Sequence, residues 1–420
     1  MRKRTVVLLV ITLTLSCSLV IGIAAASSQP AFSFVKRGAA YPEALLAPSG
    51  VTTVESWIPV TTTNAPSARY WHTAIWTGSG MLIWAGYPYT TTGAIYDPST
   101  DTWIPMTTTN APSERIWHTS VWTGSEMIIW GGGAGSHLAT GGRYNPTTDT
   151  WWPITTTNAP SPRSKHTAVW TGSEIIIWGG TDFTSCFDNG ARYNPTTDTW
   201  APITTTNAPS PRCRHTAVWT GSEMIVWGGE DGASCWAGEE GASYFDNGAR
   251  YDPTTDTWWP ITTTNAPSPR SVHTAVWTGS EMIVWGGGDG ASYFDNGARY
   301  DPTIDTWTPL TTTNAPSPRG GHTAVWTGSE MLFWGGRDES GYATTGARYD
   351  PTIDTWTPLT TTNAPSPRIR HTAVWTGSEM IIWGGHDGDS YPYNPLKTGG
   401  RYSIVSLENR IYLPLTMKNY

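Results

Sequence analysis

The chain has 420 residues and a formal net charge of −8, with only 14% charged residues but 26 Trp and 44 Gly. So many aromatic side chains can bury enough surface to offset the entropy of the chain, which excludes a disordered protein and favours a tightly packed, Gly-turned β structure. No basic block occurs beyond Arg2, Lys3 and Arg4, so we do not expect nucleic acid as a partner.

The N-terminal segment has the composition of an export signal. Three basic residues precede an apolar run from Val6 to Ala26 that ends in three Ala residues, a small-residue cleavage site. We therefore predict a signal peptide over residues 1–26, an Ala/Pro/Ser-rich linker over residues 27–50 and a secreted or cell-surface protein. The apolar run is also long enough to remain uncleaved as an anchor, and this is the only contact with a membrane that we expect.

One phrase then recurs seven times over residues 51–402. Its fullest form, from Asn314 to Trp356, reads NAPSPR, two variable residues, HTAVWTGSEMLFWGG, a variable stretch and GARYDPTIDTW. Successive copies are 46 to 58 residues apart, and a period of about 50 residues is typical of a propeller blade or a solenoid unit. The unbroken repeat favours a single domain. The invariant His residues that mark the copies are His72, His118, His166, His215, His273, His322 and His371.

Each copy divides at turn signals into four short strands. The first, His-Thr-Ala-Val-Trp, ends at Thr-Gly-Ser-Glu, whose Gly supplies the positive φ of a tight hairpin. The second, Met-Ile-Val-Trp, is closed by Gly-Gly and a variable loop, and the third, Gly-Ala-Arg-Tyr, ends at an Asp-Pro or Asn-Pro turn. The fourth contains Asp-Thr-Trp. Sheets built from strands this short must stack face to face and close in a circle, because only then are both faces buried without free sheet edges.

Most of the Trp residues recur in three columns, which we expect to form the core. Each column has seven members, so the columns of Trp57, Trp76 and Trp84 account for 3 × 7 = 21 of the 26 Trp residues. The remaining five belong to individual copies. They are Trp71, Trp117, Trp152, Trp236 and Trp259.

A hydrophobic strand, Gly-Gly, then Tyr and then Trp at these spacings, preceded by Arg-x-x-His, resembles the kelch repeat over about residues 51 to 402. The resemblance, to secreted bacterial proteins of the galactose-oxidase/kelch-like propeller superfamily, implies an all-β, seven-bladed propeller with four antiparallel strands per blade. The first copy departs with Ala85 for Gly and Ile95 for Arg, and the last lacks the Asp-Pro turn and the final Trp after Tyr402. Because an unpaired fourth strand, residues 55–59, precedes the first copy, we predict that it completes the last blade, as in the circular closure of kelch propellers.

The Arg and His of the Arg-x-x-His motif are present in every copy, from Arg69 and His72 to Arg368 and His371. A residue present once per blade serves the scaffold, whereas a metal site needs a few ligands that converge at one place. We therefore predict no catalytic residue and no metal ligand. Some kelch-type propellers are copper oxidases or sugar epimerases, but no copper constellation of Tyr, His and Cys, nucleophile elbow, phosphate loop or HExxH motif is visible here.

Two stretches vary from copy to copy: the loop after Gly-Gly, and the pair of residues between Arg and His. Because strand direction alternates, both stretches should emerge on the same face of the propeller, and ligand binding should depend on them. Trp71 and Trp117, in adjacent copies, could form a stacking platform for a sugar or an extended peptide, with packing between blades as the alternative. The predicted binding residues are Tyr70, Trp71, Trp117, Lys165, Arg214, Trp236 and Arg370.

The same loops carry acids and cysteines. Acidic, Gly-rich loops can ligate calcium, but no fixed ligand spacing occurs, so we assign no cofactor and keep calcium as an alternative to a solubilising role. In an oxidising compartment two of Cys186, Cys213 and Cys235 should pair, and the sequence does not choose the pair. The acids are Glu230, Asp231, Glu239, Glu240, Asp246, Asp289, Asp295, Asp338, Glu339, Asp387 and Asp389.

The tail, residues 403–420, contains a Tyr-Leu-Pro-Leu segment that resembles short tails of some secreted bacterial proteins and suggests surface retention. The alternative is a last strand that packs on the domain. We predict a monomeric, secreted or surface-associated module that binds or scaffolds a protein or a glycan through its loop face. The alternatives are an extracellular carbohydrate-active enzyme or oxidase of the kelch type, and a purely structural surface protein.

Overall fold

The computed structural model describes residues 52–232, 242–388 and 393–407, which form seven four-stranded antiparallel sheets in a closed ring. The predicted all-β, seven-bladed propeller is therefore confirmed. These ranges contain no helix, and so no helix among them is long and apolar enough to cross a membrane.

Within each blade the first strand lies innermost, because the first strands of neighbouring blades contact one another around the ring. The strands in chain order are β1 (Thr52–Pro59); β2 (Thr73–Trp76), β3 (Met81–Trp84), β4 (Gly93–Asp97) and β5 (Thr102–Pro105) of blade 1; β6 (Thr119–Trp122), β7 (Met127–Trp130), β8 (Gly141–Asn145) and β9 (Thr150–Pro153) of blade 2; β10 (Thr167–Trp170), β11 (Ile175–Trp178), β12 (Gly190–Asn194) and β13 (Thr199–Pro202) of blade 3; β14 (Thr216–Trp219), β15 (Met224–Trp227), β16 (Gly248–Asp252) and β17 (Thr257–Pro260) of blade 4; β18 (Thr274–Trp277), β19 (Met282–Trp285), β20 (Gly297–Asp301) and β21 (Thr306–Pro309) of blade 5; β22 (Thr323–Trp326), β23 (Met331–Trp334), the loop hairpin β24 (Arg337–Asp338) and β25 (Gly341–Tyr342), β26 (Gly346–Asp350) and β27 (Thr355–Pro358) of blade 6; and β28 (Thr372–Trp375), β29 (Glu379–Trp383) and β30 (Gly399–Leu407) of blade 7.

The last blade takes its outer strand from the start of the propeller. Strand β1 pairs with β30 in antiparallel register from Thr52 opposite Leu407 to Pro59 opposite Gly400, and the sheet order is β1-β30-β29-β28. The predicted closure is therefore confirmed. Strand β30 also continues past Tyr402, so residues 403–407 of the predicted tail belong to this sheet, while residues 408–420 lie outside the described ranges.

The hydrophobic core lies between the faces of neighbouring blades rather than at one centre. Between blades 1 and 2, for example, Trp84 of β3 meets Trp151 of β9 with ring centroids 5.3 Å apart. The columns of Trp84 and Trp57 are buried in every blade. The column of Trp76 differs from the expectation, because it ends the innermost strand beside the turn and is only half-buried against the core.

The invariant His residues join the innermost strands into a ring of side-chain hydrogen bonds. His118 Nε2 lies 3.0 Å from Thr73 Oγ1 of the preceding blade, and His72 closes the ring at 2.8 Å from Thr372 Oγ1. Burial lowers the pKa of His72 and His322 to about 3, so both stay neutral at ordinary pH. The His residues thus link adjacent blades, which supports their predicted role in the scaffold.

The invariant Arg residues also form hydrogen bonds within the scaffold. Arg115 is fully buried, and its guanidinium donates to the carbonyl oxygens of Ser113, Gly131 and Thr140 at 2.7–2.9 Å. It donates as well to the side-chain hydroxyls of Ser113 and Thr140. Arg115 lies in the segment that leads into the innermost strand, and its hydrogen bonds connect this segment to both ends of the variable loop. The loop therefore starts and ends at fixed points in every blade.

The closure of the ring can be tested at Trp57, which is 3% exposed and donates from Nε1 to the carbonyl oxygen of Thr360 at 2.9 Å. Trp57→Ala removes a large buried side chain from the joint between the last two blades, so we expect a loss of about 3–5 kcal/mol in the free energy of unfolding. The neighbouring Ile58→Ala is the control, because Ile58 is 43% exposed. Similar chemical-denaturation midpoints for the two variants would contradict the closure described above.

The buried His residues predict an acid-sensitive fold. An unfolded His takes up a proton near pH 6.5, whereas His322 in the folded state does so only at about pH 3. Between about pH 3 and 6.5 the unfolded state therefore binds more protons than the folded state. The contribution of His322 to the free energy of unfolding is complete above pH 6.5 and decreases as the pH is lowered below that value. We expect the melting temperature to drop between pH 7.5 and 5.5, where carboxylates are still ionised, and His322→Gln to unfold with a smaller proton uptake. A melting temperature that is constant over this range would refute the argument.

Candidate binding site at the channel mouth

Seven side chains surround the mouth of the central channel on the face where the innermost strands begin. Each is the second residue of the variable pair between Arg and His, and together they form the mouth ring. In every blade this residue adopts a positive φ, between 52° and 68°. The mouth ring consists of Trp71, Trp117, Lys165, Arg214, Val272, Gly321 and Arg370, and all seven line one cavity of about 540 Å³.

The backbone holds the mouth ring in place by hydrogen bonds between blades. The amide of Lys165 donates to the carbonyl oxygen of Trp117 at 3.2 Å, and the amide of Arg214 donates to that of Lys165 at 3.3 Å. The amide of Trp71 bonds in the same way to Arg370 across the junction of the first and last blades, at 3.4 Å. Side chains on a backbone fixed in this way are held in position before a ligand arrives, which reduces the entropy cost of binding.

The first residue of the variable pair is buried in six of the seven blades, the exception being Ile369, and Gly320 and Ile369 also line the mouth cavity. Tyr70 is fully buried and forms a two-residue bridge with Tyr87 of the loop after the second strand, with hydrogen bonds of 3.0 and 2.8 Å. Its ring lies 4.7 Å from that of Trp71. Tyr70, a predicted binding residue, therefore supports the mouth from below, whereas its neighbour Trp71 is half-buried and reaches the cavity.

The two predicted Trp residues do form a joint surface. The rings of Trp71 and Trp117 are 4.7 Å apart and tilted by 58°. On their outer side a second cavity of about 320 Å³ continues between the loops of the first three blades, and it is called the aromatic groove below. Besides the two Trp residues, the aromatic groove is lined by Tyr70, Tyr87, Tyr89, Ile116, Gly133, Gly135, Ser136, His137, Phe183 and Tyr393.

Cations stack on this aromatic surface. The Lys165 ammonium lies 4.6 Å from the ring centroid of Trp117 and 5.0 Å from that of Phe183. The Arg370 guanidinium lies 4.2 Å from the ring of Trp71 and 5.1 Å from that of Tyr393. A cation over an aromatic face is attracted by the ring quadrupole, so these contacts orient both side chains at the mouth.

Arg214 is positioned from below by a buried carboxylate. Glu230 is fully buried, and its Oε1 lies 3.6 Å from Arg214 Nε, while Ser271 donates its hydroxyl to Glu230 Oε2 at 2.7 Å. Glu230 was expected among the exposed acids of the loop face, but it lies inside the protein because it follows the Gly-Gly pair directly and bridges to Cys213. Its charge therefore holds Arg214 rather than facing a ligand.

The environment of Lys165 changes its ionisation. Burial, and the nearby positive charge of Arg214, lower the pKa of Lys165 to about 6, although Glu230 acts in the opposite direction. The pKa of Arg370 is also lowered by burial, an effect that Tyr393 opposes. At neutral pH the mouth therefore presents the guanidinium groups of Arg214, Arg337 and Arg370 and an amine that gains its charge as the pH falls through about 6.

The cysteines lie beside this cluster. Cys213 is disulfide-bonded, and its partner lies outside the described residues, as does Cys235. Cys186 is in the thiol form, with Sγ 3.5 Å from the carbonyl oxygen of Gly232, and burial raises its pKa to about 12. The disulfide thus lies in the segment that leads into β14, one residue before Arg214.

The structure brings five of the seven predicted binding residues to one cavity: Trp71, Trp117, Lys165, Arg214 and Arg370. Tyr70 lies beneath them, and Trp236 lies outside the described residues. The loop residues that complete the site were not among the predicted binding residues. Their signal was present, because each belongs to a loop that differs between copies. They are Tyr87, Tyr89, His137, Phe183, Tyr293, Arg337 and Tyr393.

Within residues 52–232, 242–388 and 393–407 there is no group of three or more His, Cys, Asp or Glu side chains that could hold a metal ion. The buried His residues of the scaffold are spread around the ring, one in each blade, with their Nε2 atoms bonded to Thr hydroxyls. The polar and aromatic groups that line the mouth therefore include the aromatic rings, the guanidinium groups of Arg214, Arg337 and Arg370, and the Lys165 amine.

Comparison with known families agrees with this architecture. The family model of the KLHDC2/KLHL20/DRC7 Kelch-repeats domain matches residues 51–229 and 308–398, more than half of the chain. The chain belongs to the Kelch-repeat family. Kelch domains commonly mediate protein interactions, so membership indicates a protein-binding scaffold module. No curated protein matches the chain.

The ionisation of Lys165 can be measured by competitive labelling with a trace of acetic anhydride, because only a neutral amine reacts. The exposed Lys397 is the internal control. We expect acetylation of Lys165 to reach half of its maximum near pH 6, because burial lowers its pKa. Equal pH profiles for the two lysines would show that the mouth does not lower the pKa of Lys165.

Proposed function

We propose that the protein is an exported binding module that holds a protein or a glycan at its channel mouth. The observation that carries this proposal is the coincidence of two sets of residues. The cavity is lined mainly by residues that differ between the seven otherwise matching copies. The repeated His118, His166 and His215 also reach its wall, but their Nε2 atoms are bonded to Thr hydroxyls, and the repeated Arg and Trp residues are committed to the scaffold. A repeated scaffold cannot distinguish one ligand from another, so selectivity must come from the mouth ring and its loops.

A location outside the cytoplasm is supported by residues 1–26, which have the charge and hydropathy pattern of an export signal. The disulfide at Cys213 is consistent with an oxidising compartment, because disulfides rarely persist in the reducing cytoplasm. The protein would then meet its ligand on the cell surface or in the surrounding medium.

A binding role is favoured over a catalytic one by the character of the mouth. Its described side chains can stack, donate hydrogen bonds and neutralise negative charge, and the carboxylate beside Arg214, that of Glu230, is buried against Arg214 and Ser271. General acid–base catalysis needs a titratable group within reach of the substrate, and Lys165 is the mouth residue that titrates nearest to neutral pH. An enzyme of the kelch type would therefore depend on Lys165, and turnover of a bound sugar that Lys165→Met abolishes would favour that alternative.

The proposal is tested by screening the purified protein against arrays of glycans and of surface proteins, followed by titration of any partner found. The diagnostic variant replaces Tyr70-Trp71 and Ile116-Trp117 by Ser-Val, the pair that blade 5 carries at Ser271-Val272. Because a working blade already accommodates this pair at the same backbone conformation, the fold should persist while affinity falls by about 1 kcal/mol or more for each Trp removed.

The matched control lies on the opposite face, where Ser125 and Ser173 are exposed in the turns between the first two strands of blades 2 and 3. Ser125→Asp and Ser173→Asp should leave binding unchanged. If the turn variants abolished binding and the Ser-Val grafts did not, the ligand would bind to the opposite face and the proposal would be wrong.

A further inference from the structure

We propose that the ligand is an acidic oligosaccharide, with its negative groups against the cations of the mouth ring and its sugar rings along the aromatic groove. This inference rests on the proposed function and narrows it to one chemical class. It starts from the shape of the site: the mouth cavity of about 540 Å³ and the aromatic groove of about 320 Å³ share Trp71, Trp117 and Tyr393. An extended ligand that spans both cavities would contact all three residues.

The charge of the mouth selects an anion. The chain carries a net charge of −8, yet this cavity is lined by the guanidinium groups of Arg214, Arg337 and Arg370, and Lys165 adds a positive charge as the pH falls through about 6. The carboxylate of Glu230 is fully buried, lies beside Arg214 and accepts a hydrogen bond from Ser271, and it does not line the cavity. Guanidinium groups form strong, directional hydrogen bonds with carboxylates and similar oxyanions, and an acidic sugar supplies such a group.

The aromatic groove suits the faces of sugar rings. Tyr89 is 41% exposed and Phe183 is 39% exposed, and both lie at its edge beside the tilted pair of Trp71 and Trp117. The electron-rich face of an aromatic ring attracts the C–H groups on the face of a sugar, while the hydroxyl groups at the sugar's edge remain in water. Among the described residues that line the groove, the aliphatic side chain is Ile116, and since it is only 2% exposed it offers little aliphatic surface to a Leu or Ile of a peptide.

The backbone at the mouth disfavours the common way in which a propeller or sheet holds an extended peptide. Addition of a strand requires a sheet edge with unpaired amides and carbonyls. Here the entry to β2 is already paired through Tyr70 and Tyr87, and the entry to β6 is paired through Ile116 and Gly133, each by two hydrogen bonds of 2.8–3.0 Å. A ligand at this site must therefore bind through side chains, which suits a stacked and charged oligosaccharide.

The test uses three acidic oligosaccharides, each with a neutral counterpart of similar size. The pairs are tetragalacturonate and its methyl ester, a hyaluronan tetrasaccharide and its methyl ester, and 3′-sialyllactose and its methyl ester. Isothermal titration of the full chain at pH 7 should show binding to at least one acidic member, with affinity at least about tenfold higher than for its neutral counterpart, because the charge-assisted hydrogen bonds are lost in the latter. Hexaglutamate serves as the anionic peptide.

The variants separate charge from stacking. Arg370→Gln should reduce affinity for the acidic member by about tenfold while affecting its neutral counterpart little, and Trp71→Ala should weaken binding of both. Ala can adopt the positive φ of this position, as Ala85 does at 58°. Lys397→Gln is the matched control for loss of a positive charge, because Lys397 is exposed and lines neither cavity, and it should leave all affinities unchanged.

Three results would overturn the inference. Equal affinity for the acidic and the neutral oligosaccharide of every pair would show that charge plays no role in binding. If that binding still depended on Trp71, the proposed function as a binding module would remain supported. Binding of hexaglutamate at least as tight as that of every acidic oligosaccharide would identify an anionic peptide ligand instead. Failure of the wild-type protein to bind any acidic member would reject the class, and the array screen described above would then decide whether the mouth binds some other ligand.

Discussion

The structure depends on contact between neighbouring blades. No blade has a core of its own, because its four short strands bury their hydrophobic residues only against the next sheet, as Trp84 does against Trp151. Each such contact is accompanied by a His–Thr hydrogen bond near the axis, and the set is complete only when His72 meets Thr372 and β1 joins β30. The same chain closure that gives the last blade its fourth strand therefore gives every blade two neighbours.

This arrangement explains how one sequence can be so repetitive and still carry a specific site. The invariant Arg residues fix the start and end of each variable loop, and the invariant His residues fix the innermost strands. What remains variable is therefore confined to fixed positions around the axis. Lys165, Arg214 and Arg370 lie on equivalent backbone positions with equivalent φ values, and only their side chains differ from Val272 and Gly321. Variation at seven equivalent positions produces an asymmetric mouth on a symmetric scaffold.

The fold was predictable because the seven copies supplied an internal comparison. Strand order, the Gly-Gly boundary and the closure by β1 all follow from which positions repeat and from the missing last strand. The site was less predictable. Nothing in the sequence distinguishes Tyr70 from Trp71, yet the positive φ at Trp71 directs one side chain inward and the other to the cavity. The burial of Glu230 and the lowered pKa of Lys165 arise from contacts between different blades. The aromatic groove is formed by variable loops, and because their sequences differ between copies, the internal comparison could not predict how they pack.

The central claim is that ligand recognition resides in the non-repeating residues of the mouth ring and its loops. A crystal structure of the protein with a bound ligand tests it most directly, because the contacts can be sorted by whether each residue repeats in all seven copies. The account predicts that the ligand contacts Trp71 or Trp117 together with Lys165, Arg214 or Arg370. A ligand seated on the Thr-Gly-Ser-Glu turns, or along the outer strands of the blades, would contradict it.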